Sequence, residues 1–355
     1  MPGSALARRV APATIELDEH SPSATDGEIA AINLDSARLA AWARFARDPH
    51  SPGVAESVVH TERMALQFLG DPRALDRLDA LAAQLASVDD SFCAVLIQAQ
   101  VASLAHRFEE ARAHLARAAR MGAPHEEIEL SSLTIDQACG VNLDAALAAR
   151  RRMAVSGGFE DLVPLGALLA DLEHFAEADA VYAQAFSAYE GMSPFPLAWV
   201  CFQLGMLWGE LIPVPDLSRA RLWYRRAVAY LPAYVRARVH LAEIYASLDQ
   251  ARTAEALLVP VLSSGDPEVR WRLADVLMVQ ERLAETDMQL ETARMEFEAL
   301  LRRHLLAYAD HAAEFYAGSG NDLKRALELA RENFANRPTR RAREQVRAIA
   351  AAIPV

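Results

Sequence analysis

Ten histidines, three cysteines and several adjacent carboxylates are the side chains of this 355-residue chain that could do chemistry, and their spacing decides which chemistry is available. His304 and His311 lie two helical turns apart, with Asp310 and Glu314 beside them. A metal ion would need such ligands to converge at about 2 Å, in i, i+4 pairs or across helices, and the spacing equally suits solvated surface histidines. His106 and His114 flank a turn and do not converge. Asp89-Asp90, Glu109-Glu110 and Glu126-Glu127 fall at turns or in first helical turns, where the positive end of the helix dipole favours them. Ser131-Ser132 and Ser263-Ser264 have no adjacent base. Gly318-Ser319-Gly320 follows no strand, so it reads as a turn and not as a phosphate cradle. Cys93, Cys139 and Cys201 form no CxxC pair and read as small apolar residues in a reducing compartment. Arg150-Arg151-Arg152 and Arg340-Arg341 fall near helix ends, where they suit the negative end of the dipole or could meet an acidic partner. No nucleophile–base pair emerges, so the chain is expected to be non-catalytic, with no cofactor and no metal site.

Bulk composition narrows the partners. There are 36 basic and 48 acidic residues, a net charge of −12, and Lys324 is the single lysine. Such a chain repels phosphate backbones, so no nucleic-acid partner is expected. No apolar run approaches the roughly 18 residues of a membrane span, and the first residues lack an apolar signal core. A cytoplasmic protein with no membrane contact is the expectation. The hydrophobic fraction, 52%, is ample for a continuous core.

The elements that must position these residues announce themselves by a repeat. Ala74, Ala111, Ala145, Ala178, Ala220, Ala254 and Ala326 each sit early in an amphipathic stretch, mostly 33 to 37 residues apart. Leu78, Leu115, Tyr182, Tyr224 and Leu258 follow four positions later. Each unit is two short helices, apolar on one stripe only, and only a stacked neighbour can cover that stripe. The best units read Leu165-Gly166, Leu169, Ala178, Tyr182, Ala185 and Leu204-Gly205, Trp208, Ala220, Tyr224, Ala227, Pro232. Two more run through Leu241-Ala242, Tyr245, Ala254, Leu258 and through Ala313, Tyr316, Ala326, Ala330, Pro338. In these residues the chain resembles the tetratricopeptide repeat family, over about residues 53 to 340. Thr286 replaces the anchor alanine in the seventh unit, and the unit around Ala145 lacks the large aromatic.

The expected fold is therefore all-α: a right-handed α-solenoid of stacked helix–turn–helix hairpins with capping helices at both ends. Residues 1–32 read as a flexible arm and 33–52 as an N-terminal capping helix. Residues 53–338 read as about eight hairpins and 339–355 as a C-terminal capping helix. Leu211 to Pro215 is extra length between Gly205 and Ala220, read as a stiffened turn on one rim. Residues 282–317 hold one long helix, or two with a break near Arg302 to His304.

The resemblance implies that the first helix of each hairpin lines a concave groove. Carried over unit by unit, the groove candidates are Arg63 and Gln67; Cys93, Gln100 and Ser103; Glu127, Thr134 and Gln137; Ala167 and Asp171; Trp199, Phe202 and Met206. The later units add Arg236, His240 and Glu243; Trp271, Arg272, Asp275 and Met278; Asp310 and Glu314. The leading binding candidates are Arg63, Gln67, Gln100, Gln137, Trp199, Met206, Arg236, Glu243, Trp271, Arg272, Asp275 and Glu314. Trp199 and Phe202 suit the core as well as the groove, whereas Trp271, between Arg270 and Arg272, is expected partly exposed. The family's carboxylate clamp is missing: Leu96, Gln100, Leu130, Thr134 and Glu160 stand at its positions. The implied function is a protein-interaction scaffold or adaptor that binds a peptide or protein segment in the groove. The alternative is a metal- or small-molecule-binding repeat protein serving a metalloenzyme or a maturation system.

Overall fold

The computed structural model describes residues 22–354, which form α-helices joined by short turns. Helix α1 (Gly27–Arg47) packs on α2 (Val54–Leu69). Consecutive helices then pair: α2 with α3 (Arg73–Val88), α4 (Phe92–Leu104) with α5 (Phe108–Arg120), and α6 (His125–Cys139) with α7 (Leu143–Met153). Next come α8 (Phe159–Asp171) with α9 (Phe175–Ala188), α10 (Pro194–Met206) with α11 (Leu217–Tyr230), and α12 (Val235–Ser247) with α13 (Ala251–Leu258). Helix α14 (Pro267–Val279) packs on α15 (Leu283–Ala317), α15 on α16 (Leu323–Asn336), and α17 (Arg340–Ala352) covers α16. The architecture is an all-α solenoid of tetratricopeptide-like hairpins.

The hairpin pattern has a steric basis. The side chains of Tyr182 and Tyr224 are fully buried, and each ring packs against a glycine of the partner helix, Gly166 or Gly205. A methyl at position 166 would sit 2.7 Å from the Tyr182 ring, so only glycine admits the aromatic there. The anchors Ala74, Ala111, Ala178, Ala220, Ala254 and Ala326 are wholly buried, as close helix approach requires. Six of the hairpin turns include a left-handed residue other than glycine: His106, Asn142, Glu173, Asp249, Glu281 and Asn321, with φ between 49° and 63°. Such a residue ends a helix by letting its successors bond back to the last carbonyls. Because it is polar and not glycine here, the turn after Glu281 carries no strong sequence signal.

Two irregular regions are resolved. Helix α15 breaks at His304, whose backbone (φ −138°, ψ 51°) is not helical, and the two segments belong to successive hairpins. The extra residues after Met206 are partly absorbed by a π-helical turn, Leu207–Leu211, and not only by a rim loop. The N-terminal division needs correction. Helix α1 begins at Gly27, inside the stretch read as an arm, because Asp26 caps it by accepting from the Glu28 and Ile29 amides. The arm's first part, residues 1–21, lies outside the described residues.

The stacked hairpins curve far enough to bring distant parts of the chain into contact. Phe68 of α2 packs against Phe195, Trp199 and Tyr234, and the Gly27 backbone sits against Tyr230 and Leu231. The first hairpins thus lie inside the curve of the later ones. Asp76 of α3 accepts from His304 (2.8 Å) and Arg303 across the seam. The Asn336 amide donates to the His106 carbonyl at 2.9 Å. Arg340 of α17 pairs with Glu173 of the α8–α9 turn. The chain closes on itself and leaves a chamber at its centre.

Candidate functional site

The chamber has a volume of about 1230 Å³. Its wall takes residues from α2, α6, α7, α8, α10, α11, α12, α14, α15, α16 and α17 and from the π-helical turn. Arg63, Gln137, Trp199, Met206, Arg236, Glu243, Arg272 and Glu314 all face it, as do Thr134, Ala167, Asp171, Phe202, His240 and Asp310. They come together because equivalent first-helix positions turn towards one axis as the hairpins stack.

Four of the leading candidates are elsewhere. Gln67 is half-buried beside Phe68, and Gln100 is exposed; neither lines the chamber. Trp271 is core, 3% exposed, contrary to its expected partial exposure. Its indole N–H donates to Ser319 Oγ at 3.1 Å and its ring meets Phe315 edge-on. Asp275, four residues on, shares that helix face and accepts from the same Ser319 hydroxyl. The face that carries both residues packs on the turn after α15, so neither reaches the chamber. Cys93, Ser103, Glu127 and Met278 also lie off its wall. His304 and His311 part company at the break: His304 is buried against Asp76, and His311 faces Glu268 at 3.5 Å. Among the described residues no three His, Cys, Asp or Glu side chains are grouped to hold a metal ion.

The site also holds residues that the sequence reading missed. Glu210 enters from the π-helical turn, a distortion often found where a side chain must be re-aimed. Arg337, which caps the end of α16, and Arg340, Arg341 and Arg343 of the first turn of α17 line the wall. Arg340 and Arg341 therefore stand at the positive end of a helix dipole, not at the negative end that their position suggested. Carboxylates offset this: Arg341 lies 3.6 Å from Glu210 and 3.9 Å from Glu314. Arg150 to Arg152 do occupy the last turn of α7, and Arg150 turns into the chamber wall.

Eight arginines line the chamber against six aspartates and glutamates. Burial alone would lower the His240 pKa, but Glu210 at 2.7 Å and Glu243 at 3.4 Å raise it to about 10. Asp310 and Glu268 likewise outweigh burial at His311 and raise its pKa to about 9. Both imidazoles are cationic at neutral pH. Burial pushes the Asp171 and Glu314 carboxyls upward, whereas at Glu210 and Asp310 the neighbouring imidazolium groups outweigh burial and hold the carboxyls below their ordinary range. The lining is cationic, while the whole chain carries −12. Arg272 bridges to Glu243 at 2.6 Å, and Arg337 to Asp310 at 3.1 Å. Arg63, Arg150 and Arg236 have no carboxylate of the described residues within 4.0 Å. Trp199, Phe202 and Met206 form the apolar part of the wall.

No family model and no curated protein matches the chain. Solved structures resemble it at low identity. A chain of the APC/C hetero-tetramer Cut9–Hcn1 is 13% identical over 91% of this chain and 54% of its own length, with a TM-score of 0.49. The chain thus spans about half the length of that relative. The apo form of the quorum sensor NprR from B. thuringiensis is 14% identical over 91% of this chain and 98% of its own, with a TM-score of 0.46. A tetratricopeptide repeat protein from Parabacteroides merdae is 13% identical over 73% of this chain and 98% of its own, with a TM-score of 0.41.

Proposed function

We propose that this tetratricopeptide-like solenoid is a binding scaffold that takes an extended acidic segment of a partner protein into its central chamber. The observation that carries the reading is the inversion of sign: a strongly acidic chain turns a cationic surface inward. Interiors of one sign concentrate ligands of the other. The chamber exceeds the roughly 300–1,000 Å³ of small-molecule pockets, which favours a chain segment over a metabolite. The aromatic and Met side offers contact area for apolar residues between the acidic ones. A general base needs a pKa near the working pH. His240 and His311 are held above it, so both imidazoles suit the binding of an anionic group.

The test is fluorescence anisotropy of the full chain with a labelled decapeptide of alternating Glu and Leu, against a Lys/Leu counterpart, at low and high salt. The acidic peptide should bind, more tightly at low salt, and the basic one should not. Arg236→Glu should weaken binding about tenfold or more, about 1.4 kcal/mol or above. Equal binding of both peptides, or an unchanged affinity in the Arg236 variant, refutes the chamber as the site.

A further inference from the structure

Arg150 is the one arginine of the chamber wall that is nearly sealed from solvent, at 5% exposure. Its Nη2 donates to Thr134 Oγ1 at 3.1 Å, and the Thr134 hydroxyl is itself committed to the Leu130 carbonyl. Its Nε is buried without a hydrogen-bond partner. The carboxylate that acts on it most is Asp161, which lies beyond ion-pair distance. The end of the α7 dipole offers partial compensation only. A buried guanidinium without a counter-charge is a costly arrangement, and a protein retains one where something else completes it.

A second arginine of the chamber wall, Arg63 of α2, likewise makes no ion pair; burial weighs on it most, and the carboxylate that acts on it is Glu160, the sequence neighbour of Asp161 in the first turn of α8. The α8 part of the chamber wall carries Val163, Pro164 and Ala167, apolar and without hydrogen-bonding side chains. Guanidinium groups beside an apolar wall are suited to a small oxyanion, which accepts from several donors at once.

We infer that Arg150 and Arg63 form an anion subsite at the α8 end of the chamber, which takes one carboxylate of the bound acidic segment. The inference rests on the chamber reading but fails separately from it. The first experiment follows thermal unfolding of the full chain at constant ionic strength, with inorganic phosphate and with succinate as probes. The wild-type midpoint should rise saturably with either. Arg150→Met should unfold at a higher temperature than wild type without anion, because an unpaired buried charge is gone, and should lose the saturable response. Arg63→Gln, at a solvent-reached position, should weaken the response without disturbing the core. A wild type that does not respond, a variant that responds equally, or an Arg150→Met that is less stable without anion overturns the subsite.

The second experiment measures the Glu/Leu decapeptide with a free and with an amidated C-terminus. If amidation costs wild type at least fivefold and Arg150→Met nothing, the subsite takes the terminal carboxylate. If both forms lose equally in the variant, it takes a side-chain carboxylate. Unchanged peptide binding in Arg150→Met removes the subsite and leaves the chamber. A phosphate response without peptide binding removes the peptide reading and keeps the subsite.

Discussion

His240 shows how a single side chain in this wall responds to pH. It stacks on Tyr224 with ring centroids 5.5 Å apart and contacts Glu210 and Glu243. Its pKa stands at about 10, against an ordinary 6.5. A folded-state pKa above the unfolded value gives stability that is fully present below about pH 6.5 and is lost as pH rises through about 10. Urea unfolding of wild type between pH 6 and 10 should therefore show a falling midpoint, and His240→Gln should fall much less steeply; parallel slopes would refute the assignment. The position of His240 was legible, because it lies one helical turn on from Arg236 along the first helix of its hairpin. Its charge state was not, since Glu210 reaches it from an insertion outside that hairpin. Trp271 shows the opposite failure. The flanking arginines suggested exposure, but a residue's neighbours in sequence point to other faces of a helix, and Trp271 shares its own face with Asp275.

At the scale of the element, the glycine–tyrosine contacts set how closely two helices approach. Gly166→Ala should destabilise by about 1–3 kcal/mol, because the new methyl meets the Tyr182 ring in a packed core. Thermal unfolding checks this, and an unchanged midpoint would mean that the hairpin adjusts freely. The alternation of small and large residues was readable in the sequence because it recurs. The π-helical turn was not, because its bonds depend on where Asp216 and Ile212 return to the Trp208 and Leu207 carbonyls. The start of α17 was misread for a related reason. Whether arginines stand at a helix's beginning or end depends on the turn before it, and Thr339 supplies the cap by accepting from the Ala342 amide.

At the scale of the whole molecule, closure distinguishes this solenoid from an open arc. Asp76 is the hinge of that seam, joined to Arg303 and to the buried His304. Asp76→Ala leaves His304 without its partner, at a cost of about 1–3 kcal/mol. The variant should have a larger radius of gyration in X-ray scattering and faster amide exchange in α3 and at the α15 break; an unchanged radius and exchange would show that apolar packing alone holds the ring shut. The sequence by itself determined the helices and their pairing, because local periodicity dictates which stripe each helix must bury. Only the tertiary structure decided that the chain closes on itself, which of the first-helix positions face the chamber, that Phe68 packs on the later hairpins, and that arginines of α7 and α17 line the same space. Those outcomes depend on small rotations between successive hairpins. The rotations add up over the whole chain and bring together residues more than two hundred positions apart, such as Asp76 and His304, a separation over which no repeat pattern carries information.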